Sequence, residues 1–530
     1  MPARKEEQAI EVLEALQPQL SEAASHWNIS FAAYFVILSV GVVLQLTTII
    51  GLAVWSYVSC KRRMGARCFA KQAISYPLSA IVPCYLPNEA DIIKGTIEHL
   101  LTKLTYIDHL NVYMVYNTPR DMELEKELHA MAAGPMPTGR RLFVERVYES
   151  RSKAANLNHI LPRIDTDCVA IYDADHHPQP ESLAMAVQFL MRNDLDCCQG
   201  STFIREGGCL LGTLINAEFF VSYFIVLPVL EKISGTAFFG GANGIWRTDS
   251  LHKCYFDTEM MTEDIDCFAR AYETHGFKFR FLPESRSGEL APASWSALWK
   301  QRMRWALGWD QVTIKSSPGL FRSNIPRRRR CALSYIFYIR YLSVFCGTTV
   351  TIYNTWSAVD SLTQPSRYVS REPVPIQQMM RITQWLMLVV VVGALMQIWL
   401  HEPKLSLVLS VAVYYLLLPI WIAFQCVMVS ISLYKITRGN VGSWVVTSRA
   451  GSSTSSPEED MPKWKWGNVA AVLAVSIMLQ GLIIGSVFAY GVCQRKAGDM
   501  LISWTAFGLL APTAATALDG KVAVQGLSAS

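Results

Sequence analysis

The chain has 530 residues, 51% of them hydrophobic and only 17% charged, a balance that suits an integral membrane protein better than a soluble one and leaves room for one sizeable globular domain. A net charge of +5 is too small to argue for a nucleic-acid partner. The 13 cysteines include no Cys-x-x-Cys pair, so neither a zinc site nor a disulfide framework is read.

Residues 1–30 are an N-terminal tail, acidic and polar over 6–30, without the basic start of a targeting peptide. Ile10, Leu13, Leu16 and Leu20 lie on one face of a short helix to which no role is assigned. Phe31 to Ser59 is an apolar run long enough to cross a bilayer, where about 20 residues suffice. Lys61, Arg62, Arg63, Arg67 and Lys71 follow at once, whereas no Lys or Arg lies between Glu6 and Phe31; this asymmetry puts the next segment in the cytosol. Cys60 and Cys68, beside that run, are either palmitoylation sites or free thiols.

Between residues 72 and 330 the pattern alternates. Short apolar runs (Ser79–Pro83, Val112–Tyr116, Leu142–Val147, Cys168–Tyr172) are interleaved with helical stretches (Glu89–Lys103, Asp121–Met131, Lys153–Leu161, Glu181–Met191). That is the signature of an α/β, Rossmann-like domain with a mostly parallel sheet, in which ligands bind at the carboxyl ends of the strands. Pro83-Cys84-Tyr85, Asn117-Thr118 and Asp173-Ala174-Asp175 each fall at such an end and should converge on one crevice.

The remainder, a multi-span α-helical region, has candidate spans at Cys331–Val359, Trp385–Leu400, Leu405–Leu433 and Val469–Cys493, grouped as 331–435 and 466–530, with a weaker apolar stretch at Met500–Leu518. Arg327 to Arg330 mark a cytosolic face before the first of them. Arg340 lies inside that first span, either on a polar pathway or snorkelling from a shifted boundary. The intervening segment 436–465 carries Arg438, Arg449, Lys463 and Lys465, which argue for the cytosol, yet three full crossings from Arg330 would put it outside. One of the three runs is therefore a hairpin, an interfacial helix or not a span.

Several clusters carry chemistry. Asp173 and Asp175 are two carboxylates spaced by one residue after a strand, able to hold a divalent cation against phosphate oxygens; the other reading is a polar turn closed by Pro178 and Pro180. Of His176 and His177 beside them, one could approach that cation, but solvent-facing turn residues are the preferred reading. Thr262-Glu263-Asp264 is an acidic site or the N-cap of the helical stretch Asp266 to Glu273, or both. Gln301, Arg304 and Trp305 share one helical face; with Leu298, Trp299, Met303 and Trp309 nearby, that helix also suits a membrane surface. Phe239-Gly240-Gly241-Ala242-Asn243-Gly244 is a turn whose glycines let backbone approach a ligand.

The Asp-Ala-Asp-x-x-Pro-x-Pro-x-x-Leu run, the Thr-Glu-Asp and the Gln-x-x-Arg-Trp before a membrane run together resemble the inverting, membrane-embedded family 2 glycosyltransferases, the group of cellulose, hyaluronan and curdlan synthases. The resemblance implies a GT-A catalytic domain. It implies Asp264 as general base with Glu263 beside it, and Asp173 and Asp175 as ligands of Mg²⁺ or Mn²⁺. Lys153, Asn156, Glu89, Asn117, Asn243, Gln301, Arg304 and Trp305 are implied in substrate binding. Lys153-Ala154-Ala155-Asn156-Leu157-Asn158 matches the family's Lys-Ala-x-x-Leu-Asn at a helix start, which suits a diphosphate. Trp444 to Arg449 resembles the gating loop Phe-x-Val-Thr-x-Lys of cellulose synthases, which would bring Thr447 and Arg449 over the diphosphate. One departure stands out: the family usually has an Asp after its second strand, where this chain has Asn117.

The expected activity is inverting transfer from a UDP-sugar, UDP-glucose first, to a growing β-glycan, coupled to export across the bilayer. The expected partners are the donor, a glycan acceptor and the lipid bilayer, with a homo-oligomer allowed; the plasma membrane is favoured over the Golgi. A non-processive lipid glycosyltransferase of the ceramide glucosyltransferase kind, and a catalytically degenerate partner subunit, are the alternatives.

Overall fold

The computed structural model describes residues 35–59, 76–106, 108–205, 209–321, 325–363 and 374–438. A first apolar helix, α1 (Phe35–Ser59), precedes the globular domain. There β1 (Leu78–Tyr85), β2 (Leu110–Asn117), β3 (Arg140–Arg146) and β4 (Cys168–Ile171) form a parallel set in the order β3-β2-β1-β4, joined by α2 (Leu86–Thr102), α3 (Glu123–Ala133) and α4 (Lys153–Ile160). β1 reads Leu-Ser-Ala-Ile-Val-Pro-Cys-Tyr and is buried until its last residue, as a strand covered on both faces must be. Its register sets Tyr85 opposite Asn117 and Ile81 opposite Ile171, so the polar residues that follow each strand emerge on one edge of the sheet.

Beyond β4 the sheet continues with β7 (Gly244–Arg247), β6 (Cys197–Ile204), β8 (Phe279–Glu289) and the two-residue β5 (His177–Pro178). β7 is antiparallel to both neighbours, β6 pairs parallel with β8, and β5 is antiparallel to β8. The eight strands are thus a mixed, mostly parallel sheet, as the alternation predicts. Helix α5 (Ser182–Arg192) joins α2 on one face, packing Leu183, Val187 and Leu190 beside Ile93 and Ile97. The other face is covered by α4, by α9 (Glu263–Thr274), by α10 (Trp295–Phe321) and by the first turns of α11 (Arg327–Thr363). Leu333, Ile336 and Phe337 of α11 are fully buried there. The first of the long apolar helices that follow the sheet therefore starts at Arg327, inside the core of the domain.

A second difference concerns residues 210–234, which the pattern reading left unassigned. They form α6 (Leu210–Val221), a π-helical turn (Ser222–Val226) and α7 (Leu227–Ser234), closed by the left-handed Gly235 with φ 81°. Together with a short α8 (Thr248–Leu251), they lie between β6 and β8 in the chain. The run is apolar and long enough to cross a membrane, as are Phe35–Ser59, Arg327–Val350, Arg381–His401 and Leu405–Thr437 among the described residues. More than half of it is buried, however, with Ile215, Ala217, Phe219 and Phe220 inside protein clusters.

The last described helices are α12 (Val374–His401) and α13 (Leu405–Thr437). Ser56 of α1 bonds to Gln397 of α12 at 2.6 Å, and Ser59 to His401 at 2.9 Å, so α1 and α12 end on the same side, where Arg286 of β8 pairs with Glu402 at 2.7 Å. From there α13 runs along the domain. Leu407 and Val411 pack with Trp55 and Phe220, Trp421 with Ile215 and Leu298, and Met428 and Ile431 with Met303 and Leu307. Its opposite side exposes Leu405, Leu409, Val413, Leu416 and Ile420. The expected span Val469–Cys493 and segment 436–465 lie outside the described residues, apart from Ile436 to Arg438.

Candidate active site

Helix α4 is capped by Ser152, whose side chain accepts from the Ala155 amide at 3.2 Å, and this cap fixes Lys153 as the first helical residue. The Lys153 ammonium donates to Asp173 Oδ1 at 2.5 Å and to the Gly241 carbonyl at 2.8 Å, and stands 4.0 Å from Glu263 Oε1. Burial alone would lower this amine, but the charges of Asp173 and Glu263 outweigh it and hold it above its ordinary value. One side chain thus ties together the strand-end carboxylate, the glycine turn and the Thr-Glu-Asp segment, three features that lie far apart in sequence.

Gly241 has φ 88°, and a Cβ there would come within 2.7 Å of Asp264 Oδ2. Glycine is required both for the backbone conformation and for the closeness of the turn to that carboxylate. Asp264 sits in the first turn of α9 with Glu263 and Asp266, where a helix N-terminus favours negative charge. Its carboxyl is nevertheless pushed up to about 7, first by burial and then by the charge of Glu263, against the opposing pull of Lys153. A carboxylate titrating there is suited to take a proton near neutral pH. Thr262 is the N-cap residue by position, but its side chain makes no capping bond, so the N-cap reading of this segment holds for the backbone only.

Asp175 is buried and its Oδ2 accepts from the Leu290 amide at 3.1 Å, while Asp173 stands nearer the surface beside Lys153. Among the described residues no three His, Cys, Asp or Glu side chains are grouped to enclose a cation alone. Two carboxylates one residue apart supply hard oxygen donors of the kind that Mg²⁺ or Mn²⁺ takes, ions that keep water and phosphate oxygens among their ligands. The histidines correct an expectation. His176 is 1% exposed, bonded to Ser287 Oγ at 3.0 Å and 3.3 Å from Glu289, and His177 stacks on His99 at 4.4 Å. Both are drawn inward because β5 pairs with β8, which turns the segment after Asp175 back into the sheet.

At the ends of β1 and β2 the Asn156 amide donates to Asn117 Oδ1 at 2.9 Å, and Glu89 accepts from the Tyr85 amide at 2.9 Å. All three residues lie at the same sheet edge as Lys153. Asn243 does not line the cleft. It is fully buried with φ 50°, and its amide donates to the Ser201 and Ser285 carbonyls at 2.8 and 2.9 Å, so it braces the turn behind the cleft.

Helix α10 is clamped onto the segment before α9. A Cβ on Gly308 would meet the Thr262 side chain and its backbone nitrogen at 2.5 to 2.7 Å, and Gln311 accepts from the Met261 amide at 3.2 Å. Arg304 and Trp305, both partly exposed, and the buried Gln301 lie one to two turns before that contact. Lys315 reaches Asp266 at 2.7 Å and Asp257 at 2.8 Å. Arg340 of α11 faces protein: it donates to the buried Asp310 of α10 at 2.9 Å, where Tyr341 also donates at 2.6 Å. Sequence reasoning missed Gly308 and Asp310, although both follow Gln301 within three turns of the same helix. Thr447 and Arg449 lie outside the described residues.

Residues 76–308 match the model of the family described as glycosyltransferase like family 2. The chain is similar to glucomannan 4-beta-mannosyltransferase 7 of Arabidopsis thaliana, 30% identical over 191 residues that cover 34% of either chain. It is also similar to poly-beta-1,6-N-acetyl-D-glucosamine synthase of Staphylococcus aureus strain MSSA476, 26% identical over 286 residues, 52% of this chain and 64% of the relative. The matches thus span between one third and two thirds of those relatives' lengths. Among solved structures, the mannosyltransferase PcManGT from Pyrobaculum calidifontis, in complex with GDP-Man and Mn²⁺, aligns with a TM-score of 0.42 at 17% identity over 66% of this chain and 98% of that one.

Proposed function

We propose, from the premise that residues 76–308 are a family 2 glycosyltransferase domain of the GT-A type, that the chain is an inverting polysaccharide synthase extending a β-glycan from a nucleotide sugar. The observation that carries the reading is the convergence at Lys153: Asp173 at 2.5 Å, Glu263 at 4.0 Å and the turn that touches Asp264. Transfer needs a leaving diphosphate held and neutralised, an acceptor hydroxyl relieved of its proton, and the two aligned.

Asp264 takes the acceptor proton as the hydroxyl oxygen attacks the anomeric carbon from the side opposite the leaving group. Its carboxyl, raised to about 7, is basic enough for that role and half ionised near neutral pH. Lys153, at the N-terminus of α4, faces the diphosphate; Asp173 and Asp175 are the residues that would hold Mg²⁺ or Mn²⁺, which supplies further neutralisation of the leaving group. Arg304 and Gln301 complete the diphosphate contacts, Trp305 stacks on the acceptor sugar, and Asn117, Asn156 and Glu89 form the nucleoside end of the cleft. Thr447 and Arg449 close over the diphosphate.

In the membrane, α1, α11 and α12 cross, and α13 lies along the surface on α6 and α10. Three crossings with an interfacial α13 leave segment 436–465 on the cytosolic side with the catalytic domain, as its positive charge requires. The plasma membrane is the expected location, and the polymer is exported as it grows. UDP-glucose is the first donor to try. The mannosyltransferase name of the Arabidopsis relative gives a second, a nucleotide-activated mannose, for which GDP-mannose is the probe.

The test is the full chain in lipid nanodiscs with radiolabelled UDP-glucose, UDP-N-acetylglucosamine and GDP-mannose, with Mg²⁺, Mn²⁺ or EDTA, and sizing of the product. A long β-glycan made only with metal is expected. A lipid bearing one sugar would refute processive synthesis, and no turnover with nucleotide still bound would point to a degenerate subunit.

A further inference from the structure

The Gln-x-x-Arg-Trp motif leaves its second position unspecified, and here that position is Arg302. The side chain is 7% exposed. It donates to Glu218 of α6 at 2.7 Å, and its guanidinium carbon lies 4.4 Å from the centre of the Trp305 ring. The rings of Phe219 on α6 and Trp421 on α13 stand 5.7 and 5.9 Å from the same carbon. Three helices thus meet on one cation.

A buried ion pair is a poor source of stability, since desolvation offsets the attraction. A planar guanidinium does one thing a well-packed apolar side chain does not: it covers an aromatic face at a fixed angle while a carboxylate fixes its own orientation. We propose that Arg302 is a positioning residue for acceptor recognition, held by Glu218 so that it occupies one face of Trp305 and leaves the other to a sugar ring. The inference rests on the reading of Trp305 as the acceptor platform. It adds what sets the angle of that platform, and it makes Glu218 part of the acceptor site although Glu218 lies well before the motif in sequence.

The pairing also links acceptor recognition to the membrane-facing helices. Trp305 and Trp421 lie in one apolar cluster with Ile215 and Leu298, so a shift of α13 along α6 would move Arg302, and with it the indole. A lysine at 302 would keep the charge and lose the plane.

The experiment measures affinity, so it does not depend on turnover. The full chain in nanodiscs with Mg²⁺ is titrated calorimetrically with UDP and GDP, and, once loaded, with cellohexaose and β-1,4-mannohexaose. Arg302→Lys and Glu218→Gln are expected to weaken hexasaccharide binding on the order of tenfold, the loss of one desolvated cation–π contact. Nucleotide affinity should move less than twofold. The double variant Arg302→Met/Glu218→Leu removes both charges, so no unpaired charge is buried and folding is retained, and it should show the same selective loss. Parallel loss of nucleotide and hexasaccharide binding, or hexasaccharide affinity at the wild-type level in the double variant, would overturn the proposal. Trp305→Ala separates the two levels: if it leaves hexasaccharide binding intact, the acceptor platform itself is misassigned and the inference falls with it; if it abolishes binding while the Arg302 variants do not, only the positioning role fails.

Discussion

Replacing Glu263 by Gln tests the electrostatics of the proposed base without touching the base. Asp264 is raised from 3.8 to about 7, with burial the larger cause and the Glu263 charge the next. Removing a neighbouring carboxylate from a largely dehydrated site lowers such a carboxyl by about one to two pH units. Glu263 also stands 4.0 Å from Lys153, so its loss leaves that ammonium freer to favour ionised Asp264. A general base works deprotonated, so the acidic limb of the rate profile should move down with it, from near 7 to about 5 or 6. The assay is kcat/KM for sugar transfer between pH 5 and 9, read for the position of the limb and not its height. A limb that stays in place, or moves up, would refute the assignment of that limb to Asp264.

Lys153→Met should move the same limb the other way, above 7, because this ammonium is the charge that favours ionised Asp264, and nucleotide affinity should fall in the same variant. Asp264→Asn should stabilise the fold at pH 8. The wild-type carboxyl, held neutral below about 7 in the folded chain but ionised above 3.8 once unfolded, loses stability as pH rises between those values, at about 1.4 kcal/mol per unit and on the order of 4 kcal/mol in all. Thermal unfolding of both proteins across that range measures the difference, which should vanish near pH 4. Gly308→Ala places a methyl group 2.7 Å from the Thr262 nitrogen and forces α10 off the active-site segment; turnover should drop on the order of a hundredfold with nucleotide still bound. Arg340→Met strands the buried Asp310 carboxylate and should cost about 3–5 kcal/mol, much of it restored by Asp310→Leu in the same chain.

Much of this architecture is legible in the sequence because the parallel strands β1 and β4, and the second half of β2, are buried on both faces and read as short apolar runs ending in polar residues. Asp173, Lys153 and Glu263 were each visible in a motif. Their meeting at one ammonium was not, since it depends on how the Gly241 turn folds back from the antiparallel β7. Residues 210–234 escaped assignment although their apolarity is plain. Glu218 and Glu231 interrupt the run, and in the structure both are buried, Glu218 against Arg302 and Glu231 beneath the Phe281 amide. The two histidines differ from expectation because a polar residue in a loop reads as solvent-facing, and only the pairing of β5 with β8 shows why burial is tolerated there. Asn243 reads as a substrate contact from the family resemblance, and only its bonds to the Ser201 and Ser285 carbonyls show that its amide braces the turn instead. Conversely, Arg340 in an apolar helix was recognisable as anomalous, but its partner Asp310 lies on another helix thirty residues earlier, beyond the reach of local pattern.

The central claim, that Asp264 is the base of a sugar transfer whose donor is held by Lys153, Asp173 and Asp175, is tested most directly by one comparison. Wild type, Asp264→Asn and Asp173→Asn are placed in nanodiscs with Mg²⁺ and the active radiolabelled donor, and donor binding and transfer are both measured. The account predicts that Asp264→Asn binds donor as the wild type does and transfers nothing, while Asp173→Asn loses donor affinity and transfer together. Transfer at the wild-type rate by Asp264→Asn would contradict it.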